Sequence, residues 1–349
     1  MAEDKTKKTD RRSDRPLLLA CDLRGCPNRC KHCWLGDLPN QPMQAGDDEA
    51  IVSCFEPYFR KIAFYSWLRE PDFTDDYRAR WEKDRRLSRG IEPRRFELAS
   101  FYRIVRDPEY VKFLKDVGTK KVQLTFFGLK ETTDRYVGRK GAFDELIRAG
   151  EILIENGIAP RWQVFINEEN KKEVVRLIAL AKQKELFSRC AGFSLFVHEG
   201  SCDGNNRNLY DIRIQKAHVP DEVRPYYLDF ENALSERECV RMLKESEARF
   251  VPHNGEEIVL NITSDGNVYF NFTAPSPLWK IGNFREDEAG EMVRRILEED
   301  VPALRLARSV SLKELVRRFG REDSDRIFSL DDYQMYLLNE FLEEESRKR

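Results

Sequence analysis

Cysteine is scarce in this chain, at 8 of 349 residues, too few for a disulfide scaffold at this length. Nowhere do about 18 apolar residues run together, so no segment reads as a membrane-spanning helix. No charge of one sign dominates: 60 Lys and Arg face 62 Asp and Glu, interspersed, for a net −2. Neither nucleic acid nor an anionic membrane is therefore an expected partner. The stretch from Met1 to Arg15 lacks the apolar region of an export signal and reads as a disordered tail. The expected compartment is the cytoplasm, where thiols stay reduced and free to bind metal. Internal repeats of roughly 20 to 50 residues are also absent, which excludes a solenoid.

What is present is ample core material, 41% hydrophobic and 11% aromatic, in a chain long enough for one α/β barrel with an appendage. Short apolar runs alternate with helical patterns. Strands are expected over Pro16–Leu23, Lys61–Trp67, Arg95–Phe101, Lys121–Phe127, Arg161–Ile166 and Gly192–Val197. Helices are expected after Asp47-Asp48-Glu49, then over Asp75–Leu87, Glu109–Val117, Phe143–Glu155 and Glu173–Lys184. That alternation implies parallel βα units, and hence an α/β fold with a partial (β/α)6 TIM-like barrel over residues 16–200. Beyond His198 a Gly/Asn-rich loop precedes a helix over Ser235–Ala248. Ile258–Thr263 and Asn267–Phe272, joined through Ser264-Asp265-Gly266, read as a β-hairpin, because Asp-Gly supports the positive φ of a tight turn. Residues 201–284 thus form an extension, and 285–349 a charged helical segment.

Cys26, Cys30 and Cys33 lie within eight residues directly after the first strand. A loop of that spacing can wrap one face of an iron–sulfur cluster, whose irons take thiolate ligands. Only three ligands are offered locally, and an iron without a protein ligand is open to a substrate or cofactor. A zinc site or an electron-transfer cluster that borrows Cys54 or Cys202 is the competing reading.

The CxxxCxxC pattern resembles the signature of the radical SAM superfamily. The resemblance runs through residues 16–200 and weakly to about 284. It implies one 4Fe-4S cluster on Cys26, Cys30 and Cys33, with S-adenosylmethionine chelated at the open iron. Reductive cleavage would then give a 5′-deoxyadenosyl radical that takes hydrogen from a substrate. His32 stands where the family commonly has an aromatic residue near the adenine. Leu68-Arg69-Glu70-Pro71 is similar to the family's Gly-Gly-Glu-Pro segment, which implies that Glu70 holds the methionine ammonium; both glycines are replaced. Val122 to Gly128 and Thr133 to Phe143 resemble the fourth-strand region of peptide maturases, where Thr125 and either Arg135 or Arg139 would approach the ribose and carboxylate. Asn167, ending the next strand, is a further candidate for that pocket. His198 and Glu199 follow the sixth strand and face either substrate or solvent.

Asn261–Phe284 is similar to the hairpin of the SPASM extension, but no cysteine lies beyond Cys239, so a single cluster is expected. Without an auxiliary cluster as electron acceptor, rearrangement, elimination or epimerisation is favoured over net oxidation. Cys190, Cys202 and Cys239 are the thiols from which an epimerase would draw a hydrogen atom. A flavodoxin or ferredoxin is the electron donor the resemblance implies. The substrate is either a ribosomally made peptide or a small sugar or amino-acid metabolite, and a non-catalytic iron–sulfur carrier or scaffold is the alternative from another class.

Overall fold

The computed structural model describes residues 12–36, 38–202, 204–252, 255–270 and 274–348. In chain order the elements are β1 (Leu17–Cys21), α1 (Asp47–Phe55), β2 (Ile62–Tyr65), α2 (Tyr77–Leu87), α3 (Phe101–Arg106), α4 (Pro108–Asp116), β3 (Lys121–Phe126), α5 (Lys130–Val137), α6 (Ala142–Glu155), β4 (Ala159–Phe165), α7 (Lys171–Gln183), α8 (Leu186–Arg189) and β5 (Ser194–His198). There follow β6 (Leu234–Ser235), α9 (Glu236–Leu243), β7 (Ile258–Ile262), β8 (Asn267–Phe270), β9 (Lys280–Asn283), α10 (Ala289–Leu297), α11 (Pro302–Ser309), α12 (Leu312–Phe319), β10 (Ile327–Phe328) and α13 (Leu330–Arg347).

Two sheets make the partial barrel. β3, β4 and β5 pair in parallel, and β1 pairs in parallel with β2. β1 and β2 are buried along their whole length, the pattern of strands covered on both faces. β3 and β5 alternate half-buried with buried residues, because one face packs on helices and the other lines a cavity. Their helix-side residues, with β4's, form a core in which Trp162 meets Phe126 at 4.6 Å between ring centroids and Phe193 at 5.7 Å.

Arg95–Phe101, expected as a strand, is an irregular stave. It touches β3 through one backbone bond, from Gln123 N to Glu97 O at 2.7 Å. The cause is local. Pro93 brings no N–H to a ladder, and Arg95 is drawn out to Asp72 at 2.6 Å and over the Trp81 ring. Ser100 instead caps α3, accepting from Arg103 N. α5 was not expected at all. It is a mostly polar helix that starts without a capping side chain, so neither periodicity nor a start signal announces it.

The hairpin does not stand apart from the barrel. β7 pairs in parallel with β1 from Leu17–Ile258 to Cys21–Ile262, giving the sheet order β2-β1-β7-β8-β9. Its turn is the expected one: Gly266 takes φ +86° and Thr263 donates to Asp265 Oδ1 at 2.6 Å. The expected end of that second strand, Asn271 and Phe272, lies outside the described residues. At the N-terminal side Ser13, within the expected tail, pairs with Phe59. α9 to α13 pack behind the β1 sheet in one core with α1, while β10 and α13 return to the barrel mouth.

Candidate functional site

The cysteine loop is irregular and is held in place from three sides. Arg29 N and Lys31 N donate to Val137 O and Tyr136 O at 2.9 and 2.8 Å, which ties the loop to the C-terminal end of α5. Gly138, at φ +72°, caps that helix, and a Cβ there would meet Arg29 O at 2.6 Å. Asn28 is buried and its Oδ1 accepts from Arg139 Nε at 3.0 Å. On the far side Asn40 donates to Cys26 O at 2.7 Å.

Arg69 closes the third side. Its side chain, 6% exposed, pairs with Asp22, 3% exposed, at 2.7 Å and donates to Leu38 O and Pro39 O at 2.9 and 3.1 Å. A residue that reads in the sequence as a lost glycine is thus a buried bracket. Neither Leu68 nor Arg69 has a positive φ; that conformation falls on Asp72, at +58°, whose carboxylate accepts from Arg95 and from Tyr110 at 2.6 Å.

Above the loop lies a cavity of 990 Å³ whose lining includes Cys26, Cys30, Cys33, His32, Glu70 and Thr125. His32 packs at 4.5 Å from the Phe127 ring and 4.7 Å from Phe165, and those two rings stack on each other at 5.0 Å. Burial, with a contribution from His198, lowers the His32 pKa to about 3, so it is a neutral ring in an apolar wall. Glu70 Oε1 is fully buried with no hydrogen-bond partner. Burial raises the Glu70 pKa to about 7, with the Ser100 hydroxyl as the main opposing influence.

Three of the expected residues are not on the cavity wall. Arg135 is on the surface, 3.6 Å from Glu169, with its side chain 54% exposed. Asn167 is buried in the turn after β4, where its Oδ1 accepts from Glu169 N and Asn170 N. Arg139 stands behind the wall, paired with Glu145 at 2.6 Å and hydrogen-bonded to the loop at Asn28. In their place the fold brings Gln123, Gln163 and His198 to the lining, together with Ser329 and Asp332 from the start of α13. The first two were discernible as polar residues at alternate positions of β3 and β4; the last two carry no local signal. Of the other thiols, Cys202 and Cys239 are buried and Cys190 is half-buried, and none lines the cavity.

Residues 22–181, which carry the cysteine loop, Glu70, Thr125 and Gln163, match the family described as the Radical SAM superfamily. Over 95 residues the chain is 30% identical to Fe-coproporphyrin III synthase of Methanosarcina barkeri (strain Fusaro / DSM 804), a stretch of 27% of this chain and 24% of that enzyme. The matched part is therefore about a quarter of that relative's length. Among solved structures, native anSMEcpe with bound AdoMet superposes with a TM-score of 0.48 at 15% identity, covering 96% of this chain and all of that one. SuiB of Streptococcus suis bound to S-adenosylmethionine gives a TM-score of 0.41 at 12% identity, covering 79% and 65%.

Domains of this superfamily use a 4Fe-4S cluster with S-adenosylmethionine, and the residues of this chain suit both. Among the described residues no three His, Cys, Asp or Glu side chains converge on one point as they would around a single ion. Burial, and then the Glu70 carboxylate, push the Cys26 thiol well up; burial and Cys33 push Cys30 up to about 12. Thiols so placed become thiolates only when a cation replaces their protons, as iron does. The partnerless Glu70 oxygen offers an acceptor to a cation such as an ammonium. No helix among the described residues is long and apolar enough to cross a membrane.

Proposed function

We propose that this chain holds one 4Fe-4S cluster on Cys26, Cys30 and Cys33 and cleaves S-adenosylmethionine reductively to begin radical chemistry on a peptide or small-molecule substrate. The observation that carries the reading is the meeting, in one cavity, of three cysteines, a buried carboxylate oxygen without a partner and an aromatic wall. When bound, a reduced cluster would supply one electron to the sulfonium of S-adenosylmethionine, breaking its C5′–S bond to give methionine and a 5′-deoxyadenosyl radical that would take a hydrogen atom from substrate.

The chain's own residues do the rest. Cys26, Cys30 and Cys33 would give up their protons and hold the cluster as thiolates. Glu70 takes the ammonium of the methionine moiety, an ion pair that is strong because the site is desolvated. His32, Phe127 and Phe165 cover the adenosyl group and keep water from it. Thr125 contributes a hydroxyl at the ribose, and Arg139 acts on the loop by orienting Asn28. Arg69 and Asp22 brace the loop that would hold the cluster. A flavodoxin or ferredoxin supplies the electron.

The test is anaerobic reconstitution with iron and sulfide, followed by dithionite and S-adenosylmethionine. Formation of 5′-deoxyadenosine is the expected result. If none forms, and the spectrum of the reduced cluster is unchanged by S-adenosylmethionine, the chain is a non-catalytic iron–sulfur protein. Iron near roughly four per chain fits one cubane, whereas roughly eight requires a second.

A further inference from the structure

Five polar side chains on the cavity side of the second sheet and its neighbouring stave form one continuous row. Glu97 Oε2 lies 2.8 Å from Arg161 Nη1. Arg161 Nη2 donates to Gln123 Oε1 at 2.6 Å, and Gln123 Nε2 donates to Gln163 Oε1 at 2.6 Å. Gln163 Nε2 is 2.9 Å from His198 Nε2. Thr125 adds a second donor to Gln163 Oε1 at 3.0 Å.

The direction of every amide bond in this row follows from Arg161. A guanidinium has only donors, so Gln123 must turn its oxygen to Arg161 and its nitrogen to Gln163. Gln163 then has its oxygen committed to two donors and can offer only N–H to the histidine. His198 Nε2 must therefore be the acceptor, and the ring proton sits on Nδ1. Amide and imidazole orientations are usually ambiguous, but here a donor-only residue within the row settles them all. The ring is clamped between Phe165 and Phe196, at 4.4 and 5.6 Å between centroids, and Arg161 lies over Phe196. Burial, followed by Arg213, lowers the His198 pKa to about 4, in keeping with a neutral ring.

His198 lines the cavity. Its Nδ1 has no hydrogen-bond partner among the described residues and is not among the fully buried unpartnered atoms. We infer that Arg161, Gln123 and Gln163 are positioning residues that lock His198 as the Nδ1–H tautomer, so that it binds a carbonyl or carboxylate oxygen of the substrate as an uncharged donor. Such a donor adds no positive charge to a cavity that also takes a sulfonium. The acceptor class includes the backbone carbonyl of a peptide and the carboxylate of an amino-acid metabolite. Naming the substrate as the source of that oxygen rests on the proposed function; the tautomer does not.

The experiment is long-range proton–nitrogen NMR of reconstituted, oxidised protein labelled with ¹⁵N-histidine, with S-adenosylmethionine present and His198 assigned by comparison with His198→Phe. A pyrrole-type Nδ1 and a pyridine-type Nε2, unchanged between about pH 6 and about pH 8, are expected. In Gln163→Glu the carboxylate can only accept, so the ring proton should move to Nε2. An Nε2–H tautomer in the unsubstituted protein overturns the inference, as does a tautomer indifferent to Gln163→Glu. A second measurement needs no variant: N-methylacetamide, the smallest peptide carbonyl, should shift Nδ1 saturably and leave Nε2 in place. No saturable shift overturns the proposal, and so does a full shift produced by S-adenosylmethionine alone, which would assign the acceptor to the cofactor. Protein that makes no 5′-deoxyadenosine yet keeps the Nδ1–H tautomer counts against the proposed function only.

Discussion

The β1 and β3 sheets both contribute to the cavity wall, but the polar and thiol groups they bring to it come from different places. On the β1 side they sit on loops beyond the strands, the cysteine loop after β1 and Glu70 after β2, while Leu18, Ala63 and Tyr65 fill the inward face. On the β3 side they sit on the strands themselves: Gln123, Thr125, Gln163 and His198 face the cavity, and Val122, Leu124, Phe126, Trp162 and Val164 pack against helices. The cysteine loop, proposed to take up a cluster, is steadied by buried side-chain brackets such as Arg69 with Asp22. Strand-borne groups have positions set by the ladder and need only their rotamers fixed, which the hydrogen-bonded row achieves.

The largest effect that would break this comparison is loss of the cluster itself. Cys30→Ala should reduce bound iron severely and bring 5′-deoxyadenosine formation to background, with the circular dichroism of the fold retained; iron and activity near the unsubstituted level would remove Cys30 from the ligand set. Next, and about equal to each other, come one disruption on each side. Trp162→Ala leaves a void behind the β3 sheet and should cost about 3–5 kcal/mol in denaturant unfolding. Arg69→Ala leaves Asp22 buried without its partner, a cost also of about 3–5 kcal/mol, and should loosen cluster retention, which Trp162→Ala should not. Equal iron loss in the two variants would dissolve the distinction between clamped loop and rigid strand.

A smaller effect depends on pH. Asp84 on α2 accepts from Ser66 N and Ser66 Oγ at 3.1 Å, and burial raises its pKa to about 7. The folded state therefore holds a proton that the unfolded state releases above about pH 4. Asp84's contribution to stability is greatest at low pH and is lost as pH rises to about 7. Asp84→Asn, which stays neutral, should gain on the parent by on the order of 3 kcal/mol between those limits. A stability difference that does not vary with pH would show that Asp84 is ionised throughout. The smallest effect belongs to Arg135, whose exposed pairing with Glu169 is worth less than about 1 kcal/mol. Arg135→Ala should leave both thermal unfolding and S-adenosylmethionine affinity nearly unchanged, and a weakened affinity would return Arg135 to the site.

Legibility followed the range of the interactions. The cysteine loop was readable because its three cysteines are neighbours in the chain, and the strands because short apolar runs alternate with helical patterns. Arg69 read as a missing glycine because its partner, Asp22, is 47 residues away. Arg95–Phe101 read as a strand from its composition, whereas Asp72 and the Ser100 cap draw it out of the ladder. Asn167 looked like a pocket residue because it ends a strand, yet its side-chain oxygen is occupied by the turn.

By itself the sequence determined the spacing of Cys26, Cys30 and Cys33, the alternation of strands and helices, and the match of residues 22–181 to the Radical SAM superfamily, since each is written in residues a few positions apart. Only the tertiary structure decided that β7 pairs with β1, that the start of α13 reaches the barrel mouth, and which nitrogen of His198 carries the proton. Those outcomes depend on contacts between residues far apart in the chain, where burial and the donor or acceptor character of a distant partner fix the arrangement.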